Sequence, residues 1–234
     1  MKRKGVLRSF NNWLFIFGVL FLLSAIGLTF VNLHNDRKGD EASKKAVLQL
    51  KEVIPGMEHE SENTSPSDQP GNATPILYPT QTDLPSLSLS ALNRLHSMPM
   101  PTADIDGELY IGIVSIPKLD LELPVMSDWS YEKLKISPCL FSGSVYAGNA
   151  VIAAHNYRSH FRRITELSPG DGIMFTDVQG NVFHYTVAFG EVLQPTDIED
   201  LTSGDFELTL FTCTIGGKLR YTVRCSLIKT IFTD

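Results

Sequence analysis

The chain is poor in cysteine: three in 234 residues, at 139, 213 and 225. No Cys-x-x-Cys occurs, no two histidines stand four apart and no ligand types cluster at short spacing, so neither a metal site nor a cofactor is expected. The chain also lacks a basic stripe. Its net charge of -6 divides into +4 over residues 1–31 and -5 over each of 32–106 and 107–234, which excludes a nucleic-acid binder. With 43% hydrophobic and 20% charged residues it is neither wholly disordered nor a polytopic membrane protein.

What is present is unevenly spread. Residues 1–12 are a basic start carrying Lys2, Arg3, Lys4 and Arg8. Residues 13–31 hold 19 residues without a charge, enough for a helix of about 28 Å that crosses one hydrocarbon core. The run exceeds a signal-peptide h-region and lacks a small-x-small site before Asn32, so it reads as an uncleaved anchor. The flanking charges predict a cytoplasmic N-terminus and a remainder outside the cell membrane. Residues 32–106 read as a juxtamembrane helix over 40–54, from the spacing of Ala42, Ala46, Val47, Leu50, Val53 and Ile54, followed by a stalk. Eight of the 13 prolines fall between 55 and 101, in a stretch too polar to offset its ordering entropy, with one weak helix around 88–96.

Residues 107–234 form the folded body. Eight β-branched and aromatic runs, at 109–116, 119–125, 140–142, 150–154, 172–176, 182–193, 206–212 and 219–230, are cut by turn residues. Short helical stretches at 130–136 and 160–167 interrupt them. The pattern predicts a mainly β domain, either a closed eight-stranded barrel or a sandwich.

Placed outside the cell, an odd cysteine count leaves at least one thiol without an intrachain partner. Cys213 ends the run Thr209–Thr212 and precedes a Thr-Ile-Gly-Gly turn, and Arg220 opens the next strand. A short hairpin would bring the guanidinium to the sulfur, as nucleophilic catalysis requires, although a small buried hydrophobe fits the same residue. Among the histidines, His34, His59 and His96 fall outside the body, His184 lies within a strand and His160 starts a helix. His155 remains, at the end of the apolar run 150–154.

TLFTC, with Arg220 in LRYTVRC and an upstream AVIAAHNYRSHF, resembles the sortases, cysteine transpeptidases of Gram-positive cell surfaces. The resemblance covers 107–234 and implies a sortase-like β-barrel with Cys213 as nucleophile, His155 as acid and base, and Arg220 as oxyanion donor, with Arg224 a competitor for that last role. Thr212, Leu210 and Ile152 are expected to shape the substrate groove. The implied partners are secreted proteins with LPXTG-like C-terminal signals, an amine from a peptidoglycan precursor or surface protein, and the membrane. Two departures stand out: Ala154 replaces a glycine that commonly precedes the family's histidine, and no Asp-Pro lid of the pilus-assembling type occurs. The short 193–206 segment leaves no room for a long inserted helix, so the class stays open. A calcium site at Glu108, Glu166, Asp171 and Asp197 is not supported against a solvated surface. The competing reading is an anchored, non-catalytic β domain acting as receptor or scaffold. Cys139 and Cys225 are left to pair or to stay free.

Overall fold

The computed structural model describes residues 4–57 and 96–233, with side chains from Trp13 onward. The proline-rich stretch read as a stalk lies mostly outside the described residues, as does His59. A single helix, α1 (Lys4–Val53), contains the apolar run and the juxtamembrane stretch without a break. From Trp13 it is long and apolar enough to cross a membrane.

The body contains nine strands: β1 (Ala103–Ile105), β2 (Glu108–Ile116), β3 (Leu121–Met126), β4 (Cys139–Ser142), β5 (Ala150–Ala153), β6 (Gly172–Asp177), β7 (Val182–Leu193), β8 (Leu208–Cys213) and β9 (Arg220–Ile231). Strand order is β1-β2-β3-β4-β5-β8-β9-β7-β6, and β6 pairs back onto β2, so eight strands close into a ring with β1 attached to the start of β2. All eight strands expected from the sequence are present. The two expected helical stretches are single 3-10 segments, Lys133–Lys135 and Phe161–Glu166. Three elements of the body escaped the sequence reading: β1, which falls inside the segment assigned to the stalk, a 3-10 turn at Pro117–Leu119, and a short helix, α2 (Ile198–Thr202).

Closure depends on Gly112. It sits at a bulge in β2 with φ of 154°, and a Cβ there would strike the Thr176 carbonyl oxygen of β6. Glycine alone permits the two backbones to approach that closely. The interior is filled by alternate residues of each strand, among them Ile111, Val114, Ile152, Phe175, Phe183, Leu210 and Val223.

A second core lies outside the ring. Ala46, Val47 and Leu50 of α1, with Ile54 just past its end, pack on Ile105, Tyr110, Ile113, Met126 and Cys139. The i, i+1, i+4 spacing puts the first three on one helix face, so the juxtamembrane helix expected from the sequence is part of the body's packing. The chain leaves this cluster at Met57 and re-enters it at Ala103 and Ile105.

This packing makes a testable contrast. Leu50 is fully buried and Leu48 is half exposed on the same helix. Leu50→Ala should cost about 2–5 kcal/mol through lost burial and the cavity left behind, whereas Leu48→Ala should change stability by less than about 0.5 kcal/mol. Thermal unfolding of the full chain in detergent micelles measures both, and equal effects would mean that α1 is not docked.

Candidate active site

Two strand pairings assemble the site. β5 and β8 run parallel with Ala153 opposite Phe211, so both chains leave the sheet at the same end, and two residues further on stand His155 and Cys213. β8 and β9 are antiparallel, and their last registered pair is Cys213 opposite Arg220. The Arg220 Nη1 donates to Cys213 Sγ at 3.3 Å. The turn between them is closed by backbone bonds from Thr214 N to Leu219 O and from Gly217 N to Thr214 O. Gly216 and Gly217 both adopt positive φ there, which explains the glycine pair in the sequence.

Cys213, His155 and Arg220 all line one cavity of about 320 Å³. Its lining is largely apolar: Phe141, Ala153, Leu193, Leu201 and Phe211 line it and pack in one cluster with the buried Val151. Trp129 and Phe141 rings lie 5.2 Å apart, and Phe141 meets Phe211 edge-on at 5.2 Å, forming an aromatic wall. Ile198 and Leu201 of α2 also line it.

The residues expected to shape the groove lie elsewhere. Leu210 and Ile152 are fully buried in the ring interior, and Thr212 donates its hydroxyl to the Ala154 carbonyl at 2.9 Å. The reason is strand alternation: even-numbered β8 residues face inward, and odd ones, Phe211 and Cys213, face the cavity. Parity relative to Cys213 was the signal that would have identified Phe211, and likewise Ala153 on β5. Trp129 and Phe141 carried no such signal in a loop and a four-residue strand.

His155 is half-buried, and its ring stacks on Tyr157 at 4.1 Å with 10° between planes. Nδ1 accepts the Asn156 backbone N–H at 3.0 Å, so the neutral ring carries its proton on Nε2. Burial, reinforced by the Lys135 charge, holds its pKa below the usual histidine range, against an opposing pull from Asp36. Ala154 is outside the positive-φ region, so replacing a glycine there costs no backbone strain.

Arg224 has another task. Its guanidinium is buried and engaged by Glu191 at 2.7 Å, the Leu201 carbonyl at 2.9 Å, Thr209 Oγ1 at 3.2 Å and the Asp200 carbonyl. It secures α2 against β8 and β9 and does not line the cavity, so the position opposite the sulfur belongs to Arg220. The four acids considered for calcium are engaged separately: Glu108 with Lys133, Glu166 with Arg163, Asp171 with Lys118, and Asp197 with the Gln194 backbone N–H.

A family model described as "Sortase domain" matches residues 114–228. Nearly all of the folded body thus resembles the sortase family. Sortase A of Bacillus anthracis is 30% identical over 136 residues, covering 55% of this chain and 64% of that protein, so the match spans under two thirds of the curated relative. Among solved structures, sortase A of Listeria monocytogenes aligns with a TM-score of 0.48 at 21% identity, over 53% of this chain and 91% of that one. The sortase D5 transpeptidase of Clostridium perfringens aligns with a TM-score of 0.47 at 26% identity, over 61% and 89%.

The three thiols of the folded body differ in access. Cys139 and Cys225 are free, fully buried in different clusters, and burial pushes both thiols up to about 12. Cys213 is partly exposed in the cavity. Iodoacetamide at neutral pH should therefore add one carbamidomethyl group, mapping to Cys213, and reach the other two only in denaturant. Modification of Cys139 or Cys225 in the native chain would contradict this placement.

His160 gives the pH dependence. It is fully buried, and desolvation, with the His155 charge next, lowers its pKa from 6.5 to about 4. Between those values the unfolded chain binds a proton that the native state excludes, so stability is complete above about 6.5 and falls as pH drops toward 4, by on the order of 3 kcal/mol. Urea unfolding of the His160→Gln variant should show a flatter slope against pH over that window.

Proposed function

We propose that the protein is a membrane-anchored sortase transpeptidase that acts on LPXTG-like signals of secreted proteins. The observation that carries the reading is the pairing of Cys213 with Arg220 at the end of β8 and β9, with His155 in the same cavity. The Cys213 thiolate attacks the Thr-Gly carbonyl, and the carbonyl oxygen takes up the electron pair beside Arg220. His155 in its imidazolium form, charged by the proton that the Cys213 thiol gives up, protonates the leaving amine from Nε2 as the C–N bond breaks and returns to the neutral ring, which leaves a thioester on Cys213. An amine from a peptidoglycan precursor or surface protein then adds to the thioester and loses a proton to His155, and the thiolate departs. The Trp129, Phe141 and Phe211 wall and the Ile198 and Leu201 side chains are the apolar surface available to the Leu-Pro part of such a signal.

The anchor fits this role, with the N-terminus in the cytoplasm and the body outside, where secreted substrates emerge. A partly exposed thiol with a cationic donor beside it, inside a cavity, favours an enzyme over a scaffold.

The full chain in detergent micelles, given an LPXTG-like peptide and an amine, should yield the ligated product. Cys213→Ala should abolish it. Arg220→Lys should lower kcat by about 10²-fold, because an ammonium cannot reproduce the fixed guanidinium donors. Full turnover by Cys213→Ala would overturn the reading.

A further inference from the structure

The buried face of α1 continues beyond its apolar residues. Asp36, Gly39 and Ser43 extend it at three- and four-residue spacings toward the membrane-spanning stretch, and each meets the body. Ser43 Oγ donates to the Ile136 carbonyl at 2.7 Å and lies 3.4 Å from His160 Nε2. With its one hydrogen committed to Ile136, the Ser43 oxygen faces His160 as an acceptor, so His160 presents Nε2–H while its Nδ1 has no partner among the described residues. Gly39 lies where a Cβ would stand 2.7 Å from the Lys135 carbonyl oxygen, so the absent side chain is what lets the helix come this close. Asp36 Oδ1 accepts the Ser159 hydroxyl at 2.6 Å and its backbone N–H at 3.4 Å.

Ser159 and His160 belong to the turn that begins at His155. Within it, the Tyr157 carbonyl accepts the backbone N–H of His160 and of Arg162, each at 3.1 Å, and the His155 carbonyl accepts that of Phe161 at 3.4 Å. The rings continue the connection: His155 stacks on Tyr157 at 4.1 Å, and Tyr157 meets His160 at 5.4 Å. The turn is therefore held by the sheet at one end and by α1 at the other. Its middle carries the aromatic surface against which the His155 ring rests.

We propose that the Asp36–Ser43 stretch of the anchor helix positions His155, Asp36 and Ser43 fixing Ser159 and His160 so that Tyr157 holds the imidazole in its working orientation. These are positioning residues that do not touch substrate. The role deepens the transpeptidase reading and rests on it only for its effect on turnover. The charged and titratable groups facing the ring stack are Asp36 and Asp40 from α1 and Lys135 from the preceding 3-10 segment.

Full-length protein in micelles, with histidine ring carbons labelled for NMR, separates the possibilities. Asp36→Ala should lower kcat by about tenfold with KM within about twofold, and should move the His155 ring resonances. Asp36→Asn keeps an acceptor for Ser159 but loses the charge, so it should recover kcat at the optimal pH while His155 titrates at lower pH than in the parent. Gly39→Ala removes no hydrogen-bonding group and favours helix, yet should move the same resonances and lower kcat by displacing α1. Unmoved His155 resonances in both Asp36→Ala and Gly39→Ala would overturn the proposal. So would losses of turnover that only track the melting temperature while the ring signals stay put. If the parent shows no turnover but the ring signals move in the variants, the transpeptidase reading falls and the positioning role stands.

Discussion

The parallel pairing of β5 with β8 is the constraint on which the site depends. Hydrogen bonding Ala153 beside Phe211 makes both strands end together, so a histidine and a cysteine 58 residues apart in sequence emerge at one rim. Antiparallel strands would have sent them to opposite ends. The Thr212 hydroxyl on the Ala154 carbonyl and the Ala154 N–H on the Phe211 carbonyl lock this register just before the two side chains. The β8–β9 hairpin adds Arg220 opposite the sulfur, so three strands bring three chemically different groups to one cavity.

Much of this was legible in the sequence because strands announce themselves locally. Alternation and turn residues located all eight ring strands, and the apolar run before His155 identified it as a strand-end residue. The assignment of groove residues was less successful because chemical character was used where parity was needed: Leu210 and Ile152 are apolar, but they lie on the inward face. Trp129 and Phe141 reach the cavity through tertiary packing between the β3–β4 connection and β4, which no sequence period records. β1 is three residues long and α2 five, too short to generate a periodic signal.

Environment, not residue type, separates the paired candidates. Arg220 and Arg224 share a strand face, but Arg224 is buried and commits four of its five N–H donors to a carboxylate, two carbonyls and a hydroxyl, away from the cavity that Arg220 lines. Cys139 and Cys225 sit among apolar side chains that disfavour a thiolate, while Cys213 meets a cationic donor at the cavity edge. The same contrast holds for His160, kept neutral beneath α1, and His155, half-buried with one nitrogen committed to the backbone.

The docking of α1 also changes what the proline-rich segment can do. A stalk would set the height of the body above the membrane, but the segments on either side of the proline-rich stretch meet in one cluster, Ile54 and Met57 before it and Ala103 and Ile105 after it. Whatever path the intervening residues take, they do not separate the body from the helix. Height is set instead by the helix itself. With residues 13–31 in the bilayer as proposed, Asp36 follows Val31 by five residues, a rise of about 8 Å, and Asp36 holds Ser159. The turn that carries His155 is thereby tied to the helix just beyond the apolar core. A rigid strut that fixes both the height of the cavity and the setting of its histidine makes the anchor part of the site's architecture, which a flexible tether of the same length would not do.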